Sequence, residues 1–232
     1  AWYALAGEPT HGVPPHWLAA PAGSDARAQA FDLYAGGVAC GRLALPLPGA
    51  HNLKNAVAAI GAVAQGFGAR LADLGPALAS FQGVRRRQDL LGTPRGVFVY
   101  DDFAHHPTAV KETLKALRTR HPDTRLFAVF EARSATACRR MHQAEYAESF
   151  DAADRVLFAP LGRGNLPPGE ALDLDELVGA LHARGKEAER FDSVEAIVGA
   201  LAEYAGAGDA VALLSNGAFG NIHEKLLSRL GD

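Results

Sequence analysis

Val97-Phe98-Val99-Tyr100-Asp101-Asp102-Phe103-Ala104-His105-His106-Pro107-Thr108 is the stretch that decides how this chain is read. Its four leading apolar residues predict a short buried strand. Two carboxylates and two imidazoles follow within six residues, Asp101 to His106. Pro107 suits the first turn of a helix, where its missing N–H costs nothing. Val110, Leu114 and Leu117 then share one helical face. Polar groups therefore collect at the carboxyl end of a strand, where open α/β sheets bind ligands. A solvated loop with a helix cap would account for one or two of these groups. Four together favour a site.

Downstream, strands and helices alternate. Strands are expected at Arg125–Phe130, Arg155–Ala159, Glu187–Phe191 and Asp209–Leu214. Helices are expected at Cys138–Ala152, Leu174–His182 and Ser193–Tyr204, with a closing helix to Leu230 and a Gly/Pro loop over 160–172. Such β–α repetition implies a mainly parallel open sheet with helices on both faces. The polar residues after each strand would then meet at one edge.

Upstream, residues 1–50 read as β-rich, with strands at Ala1–Leu5 and His16–Ala19. Gly36-Gly37 between Phe31–Ala35 and Val38–Leu45 is a hairpin signal. Gly49-Ala50-His51-Asn52-Leu53-Lys54-Asn55-Ala56 opens a helix that carries Leu53, Val57, Ile60, Ala64 and Phe67 on one face. Asn52 and Asn55 fall on one side of its first turn. Capping explains one Asn; a carboxamide, with its donor and acceptor side by side, also suits a purine edge. A short helix is expected from Asp73 to Phe81. Arg85-Arg86-Arg87 is either a solvated charge run or a phosphate contact near a domain junction. The junction is placed at Gly92-Thr93-Pro94-Arg95-Gly96, which gives domains 1–92 and 93–232.

Composition narrows the class. At 232 residues and 48% hydrophobic, the chain can bury a sizeable core. A net charge of −3 lacks the basic excess of a nucleic-acid binder. Cys40 and Cys138 form neither a disulfide framework nor a metal-binding spacing, which fits a reducing, cytoplasmic setting. No apolar run approaches the ~20 residues of a membrane helix. The chain opens at Ala1 and runs directly into Trp2-Tyr3-Ala4-Leu5, which reads as the interior of a longer protein.

Four motifs together resemble the Mur ligase family. Residues 49–56 resemble the helix-opening motif of its central domain, and Arg86-Arg87-Gln88-Asp89 its hinge. Residues 101–108 resemble the start of its C-terminal domain, and Leu214-Ser215-Asn216-Gly217-Ala218-Phe219-Gly220-Asn221-Ile222-His223 a motif near its end. Order and spacing match across 49–232. The resemblance implies a Rossmann-like C-terminal domain preceded by part of an α/β ATP-binding domain. The implied activity is ATP-dependent amide-bond formation through an acyl phosphate, with Mg²⁺. The Asp-Asp-aromatic-x-His-His-Pro-Thr form resembles the branch that uses UDP-N-acetylmuramate. Phe130-Glu131-Ala132-Arg133-Ser134 resembles the recycling ligase that adds the tripeptide L-alanyl-γ-D-glutamyl-meso-diaminopimelate, rather than the ligase that adds L-alanine.

By the same resemblance, Asn52 and Asn55 are adenine contacts, Arg87 a phosphate contact and Asp102 a nucleotide contact. His105, Arg133, Ser134, Ser215 and Asn216 form the pocket of the incoming substrate. His105 is the candidate for holding or deprotonating the amine, and His106 is read as a helix cap. One departure is large. No Gly-Lys-Thr phosphate loop occurs anywhere in the sequence. The family's metal ligands and its UDP-binding domain would also lie upstream, so the isolated chain is expected to be inactive. Three rival readings stand beside this one. A phospho-receiver domain needs a phosphorylatable Asp after a later strand, but Glu131 and Pro160 stand there. A metal hydrolase would use Asp101, Asp102, His105 and His106. The third is a non-catalytic nucleotide- or peptide-binding module.

Overall fold

The structure, a computed structural model, describes residues 2–24, 28–164, 166–167 and 169–231. Ala1 of the expected first strand, and Asn165 and Pro168 of the expected loop, lie outside the described residues. The chain divides into two compact units, Ala1–Gly83 and Val84–Asp232.

The first unit is a four-stranded sheet in the order β1 (Tyr3–Leu5), β2 (Trp17–Ser24), β3 (Gln29–Ala35), β4 (Val38–Leu45). β1 and β2 run parallel; the other pairs are antiparallel. Gly36 and Gly37, with φ of 55° and 82°, make the β3–β4 turn, because a tight hairpin needs left-handed backbone at both central residues. Helices α1 (Ala50–Phe67) and α2 (Leu71–Ala79) follow. Leu53, Val57 and Ile60 of α1 bury against Trp17, Phe31 and Leu33. Phe67 departs from the expected apolar face. It is 86% exposed, in the last turn before the left-handed cap at Gly68.

The second unit is a six-stranded sheet in the order β5 (Asp89–Gly92), β6 (Phe98–Asp102), β10 (Ala210–Leu214), β7 (Leu126–Phe130), β8 (Arg155–Phe158), β9 (Glu187–Arg190). β5 is antiparallel to β6, and all other pairs are parallel. The expected junction at 92/93 is therefore corrected. Gly92–Gly96 holds the turn that joins β5 to β6, inside this sheet.

Strand periodicity sorts the core. Ala128, Phe130, Ala212 and Leu214 face one side, where α3 (Pro107–Arg120), α4 (Gln143–Ser149) and α5 (Leu174–Ala183) pack. Val99, Val129, Val211 and Leu213 face the other, under α6 (Val194–Tyr204) and α7 (Ile222–Gly231). Asp173 and Ser193 cap α5 and α6, each side chain accepting an N–H three residues on. The expected helix over 138–152 shrinks to α4. Arg140 N–H bonds to Glu170 O, and Leu172 N–H to Cys138 O, so cross-links to the 160–172 loop displace the helical ladder at its start.

The order of the strands creates the crevice. After β6, β7 and β8 the chain moves outward along the sheet, its helices on one face. From β9 it returns by α6 on the opposite face and inserts β10 between β6 and β7. Right-handed crossovers require that change of face when the direction reverses. Connections leave β10 and β7 toward opposite faces, and ligands bind in the gap that such a reversal opens.

Candidate functional site

The register places the strand ends level: Leu214 lies opposite Asp102 on one side and Phe130 on the other. Residues just after these positions crowd one edge. Ser215 Oγ donates to Glu131 Oε2 at 2.5 Å and accepts from Gly217 N at 3.0 Å. Arg133 reaches the other oxygen of Glu131 at 3.6 Å. Glu131, 7% exposed, thus spans the crevice and ties Ser215 to Arg133. Arg133 itself is about half exposed, its stem in a slot lined by two glycines. A Cβ on Gly217 would stand 2.1 Å from Arg133 Cδ, and one on Gly162 2.7 Å from Arg133 Cγ.

His105 stands at the same edge, after β6. Its Nδ1 lies 3.0 Å from Phe103 O, a contact in which the nitrogen must donate. With Nδ1 so engaged, Nε2 is the ring nitrogen left for a ligand. Tyr146 fixes the local backbone by donating its hydroxyl to His105 O at 2.6 Å. Of the other pocket residues expected from sequence, Ser134 Oγ accepts from Ala137 N at 3.0 Å and orders its own loop. Asn216 Oδ1 is buried with no hydrogen-bond partner among the described residues. His106 occupies the cap position of α3 but makes no capping bond; its ring packs on His142.

The two carboxylates part company, because neighbouring residues in a strand face opposite ways. Asp101 accepts one hydrogen bond from Arg86 Nε at 2.9 Å and one from His223 Nε2 at 3.1 Å. Burial pushes its pKa up, but His223 and Arg86 together outweigh burial and hold it below the usual value. Asp102 accepts from Gln88 N at 2.9 Å and Ala104 N at 2.8 Å. Burial dominates here and raises its pKa, against those N–H groups, Arg87 and Thr113. At 2% exposure and with an N–H bonded to each oxygen, Asp102 orders the turn. Among the described residues no three His, Cys, Asp or Glu side chains gather as a metal-holding group.

Arg86 was missed from sequence and Arg87 chosen. Arg86 turns inward, donating to Asp101, to Ser215 O at 2.8 Å and to Gly217 O at 2.9 Å. Arg87 is exposed, its guanidinium 5.5 Å from the centre of the Phe103 ring. In the first unit, Asn52 Nδ2 donates to Pro48 O at 2.7 Å, and Asn55 is exposed.

Comparison with known proteins agrees with this architecture. The family model described as "Mur ligase, glutamate ligase domain" matches residues 86–217. The UDP-N-acetylmuramate–L-alanyl-γ-D-glutamyl-meso-2,6-diaminoheptandioate ligase of Escherichia coli is 37% identical over 216 residues, covering 93% of this chain and 45% of that protein. The UDP-N-acetylmuramate–L-alanine ligase of Rhizobium etli is 39% identical over 176 residues, covering 75% and 37%. A solved murein peptide ligase from Psychrobacter arcticus superposes with a TM-score of 0.66 at 30% identity, covering all of this chain and 46% of that one. The chain spans less than half the length of the curated relatives it matches.

Proposed function

Because this chain belongs to the Mur ligase family, we propose that it is the part of an ATP-dependent ligase that receives the amino substrate. That substrate is the tripeptide L-alanyl-γ-D-glutamyl-meso-diaminopimelate, and UDP-N-acetylmuramate is its partner. The observation that carries this reading is the bridge across the crevice, Glu131 joining Ser215 to Arg133, on the sheet edge that His105 shares. Arg133 offers a planar fork, suited to a peptide carboxylate. His105 Nε2 accepts a proton from the incoming ammonium, leaving the amine lone pair free to attack. Ser215 and Gly217, on the loop after β10, hold Arg133 in place.

ATP would supply the phosphoryl group that activates the muramate carboxylate. The backbone cradle and lysine that such transfer requires are not in these 232 residues, so no phosphoryl step belongs to them. Asn52 and Asn55 are proposed to border adenine and the exposed Arg87 a phosphate. Mg²⁺ ligands and the UDP site are assigned to sequence upstream, and a cytoplasmic setting fits these soluble substrates.

The E. coli relative, matched over 93% of the chain, favours the tripeptide over L-alanine, whose ligase matches 75%. The test is to assay the protein that carries this chain with its upstream region, supplying ATP, Mg²⁺ and UDP-N-acetylmuramate, and to compare the two amino substrates. The tripeptide should give the larger kcat/KM. Preference for L-alanine would replace this reading with that of the alanine-adding ligase.

A further inference from the structure

We infer that Arg163 is a specificity-determining residue, a second carboxylate clamp that selects a peptide over a single amino acid. This inference rests on the peptide-receiving role proposed for the edge. Arg163 lies on the loop after β8, and two hydrogen bonds stitch that loop to the one carrying Arg133. Gly162 N donates to Ala132 O at 2.8 Å, and Arg163 Nε donates to Arg133 O at 3.2 Å. The two arginines therefore sit side by side at the carboxyl edge.

Arg163 differs from its neighbours in its pairing. Arg133 has Glu131; Arg139 pairs with Glu170, and Arg140 with Glu176 and Asp173. Farther along the edge, Arg190 is taken by Asp175 and Asp192. Arg163 is exposed and has no carboxylate partner among the described residues. Its fork beyond Nε is open to a ligand anion.

Distance turns this into selectivity. The amine must reach the end of β10, where Ser215 stands, with His105 after the adjacent β6. The loop after β8 lies two strand spacings from β10, roughly 10 Å. One amino acid spans about 3.5 Å and an extended tripeptide roughly 10 Å, so only the peptide matches strand ends two spacings apart. The tripeptide also carries carboxylates at its far end, which L-alanine lacks. Arg133 would hold the near carboxylate and Arg163 a far one.

The test is titration of the 232-residue chain by two-dimensional amide NMR, which reads millimolar affinities and reports folding in the same spectra. The probes are the tripeptide and the dipeptide L-alanyl-γ-D-glutamate, which lacks the diaminopimelate carboxylates. Arg163→Ala should weaken the tripeptide about tenfold or more and leave the dipeptide within about twofold. Arg163→Lys should fall between, because a point charge replaces a fork. Equal weakening of both probes, or of neither, overturns the role of Arg163. Failure of the unsubstituted chain to bind the tripeptide at millimolar concentration, or indifference of binding to Arg133→Ala, would instead overturn the site reading on which it rests.

Discussion

At the scale of single residues, chemistry follows from which way each side chain is turned. Asp102 is the sharpest case. A carboxylate can accept from two N–H groups at once, and Asp102 does so with Gln88 and Ala104. Asp102→Asn keeps the shape but sets an NH₂ against one of those donors. The expected cost is about 1–3 kcal/mol, a drop in Tm of roughly 2–4 °C per kcal/mol for a chain of this length. Thermal unfolding measures it, and an unchanged Tm would show that Asp102 does not order the turn. The motif Asp101-Asp102 was legible in sequence, but its division of labour was not. Neither was the choice between Arg86 and Arg87. Arg86 and Gln88 adopt positive φ of 60° and 51° without being glycines, so no residue type announced the turn that sends Arg86 inward. Glu131 carried a weak signal: a carboxylate directly after a strand, level with the serine after the neighbouring strand.

At the scale of elements, long periodic segments were readable, because burial of one face repeats along them. The failures came where tertiary bonds overrode the local pattern. Gly92–Gly96 has the composition of a linker, yet turn chemistry is the same whether it separates domains or joins two strands. The start of the expected fourth helix was lost to the Arg139↔Ala171 bridge and the ion pairs beside it. The end of α3 carries a buried polar contact. His121 follows its last turn, with Nε2 2.8 Å from Tyr100 Oη on β6 and its ring against Phe98. Burial lowers the His121 pKa, helped by the charges of Arg120 and Arg118. The sign is then fixed. Near and below pH of about 6.5, the unfolded chain binds a proton that the folded chain resists. This stabilisation is present above that pH and is lost as pH falls toward the lower folded value. His121→Gln keeps a polar partner for Tyr100 and does not titrate. Its Tm should therefore fall less than that of the unsubstituted chain between about pH 7.5 and 5.5. Parallel curves would remove His121 from the account.

At the scale of the whole molecule, the second unit is a sheet whose strand order reverses once, and the candidate site sits at that reversal. The alternation of strands and helices made an open α/β sheet readable. The insertion of β10 between β6 and β7 was not, since nothing in a strand's own sequence names its neighbours. That insertion brings Ser215 within reach of Glu131, and through it Arg133, across 84 residues of sequence. On the reading proposed above, this edge receives the amino substrate. Steady-state kinetics of Arg133→Ala, in the protein with its upstream region, tests it most directly. Loss of one charged hydrogen-bonding partner costs roughly 1.5–3 kcal/mol. The KM for the tripeptide should therefore rise about ten- to a hundredfold, with the KM for ATP unchanged. Equal rises for ATP and peptide, or no rise for the peptide, would contradict the assignment of this edge to the amino substrate.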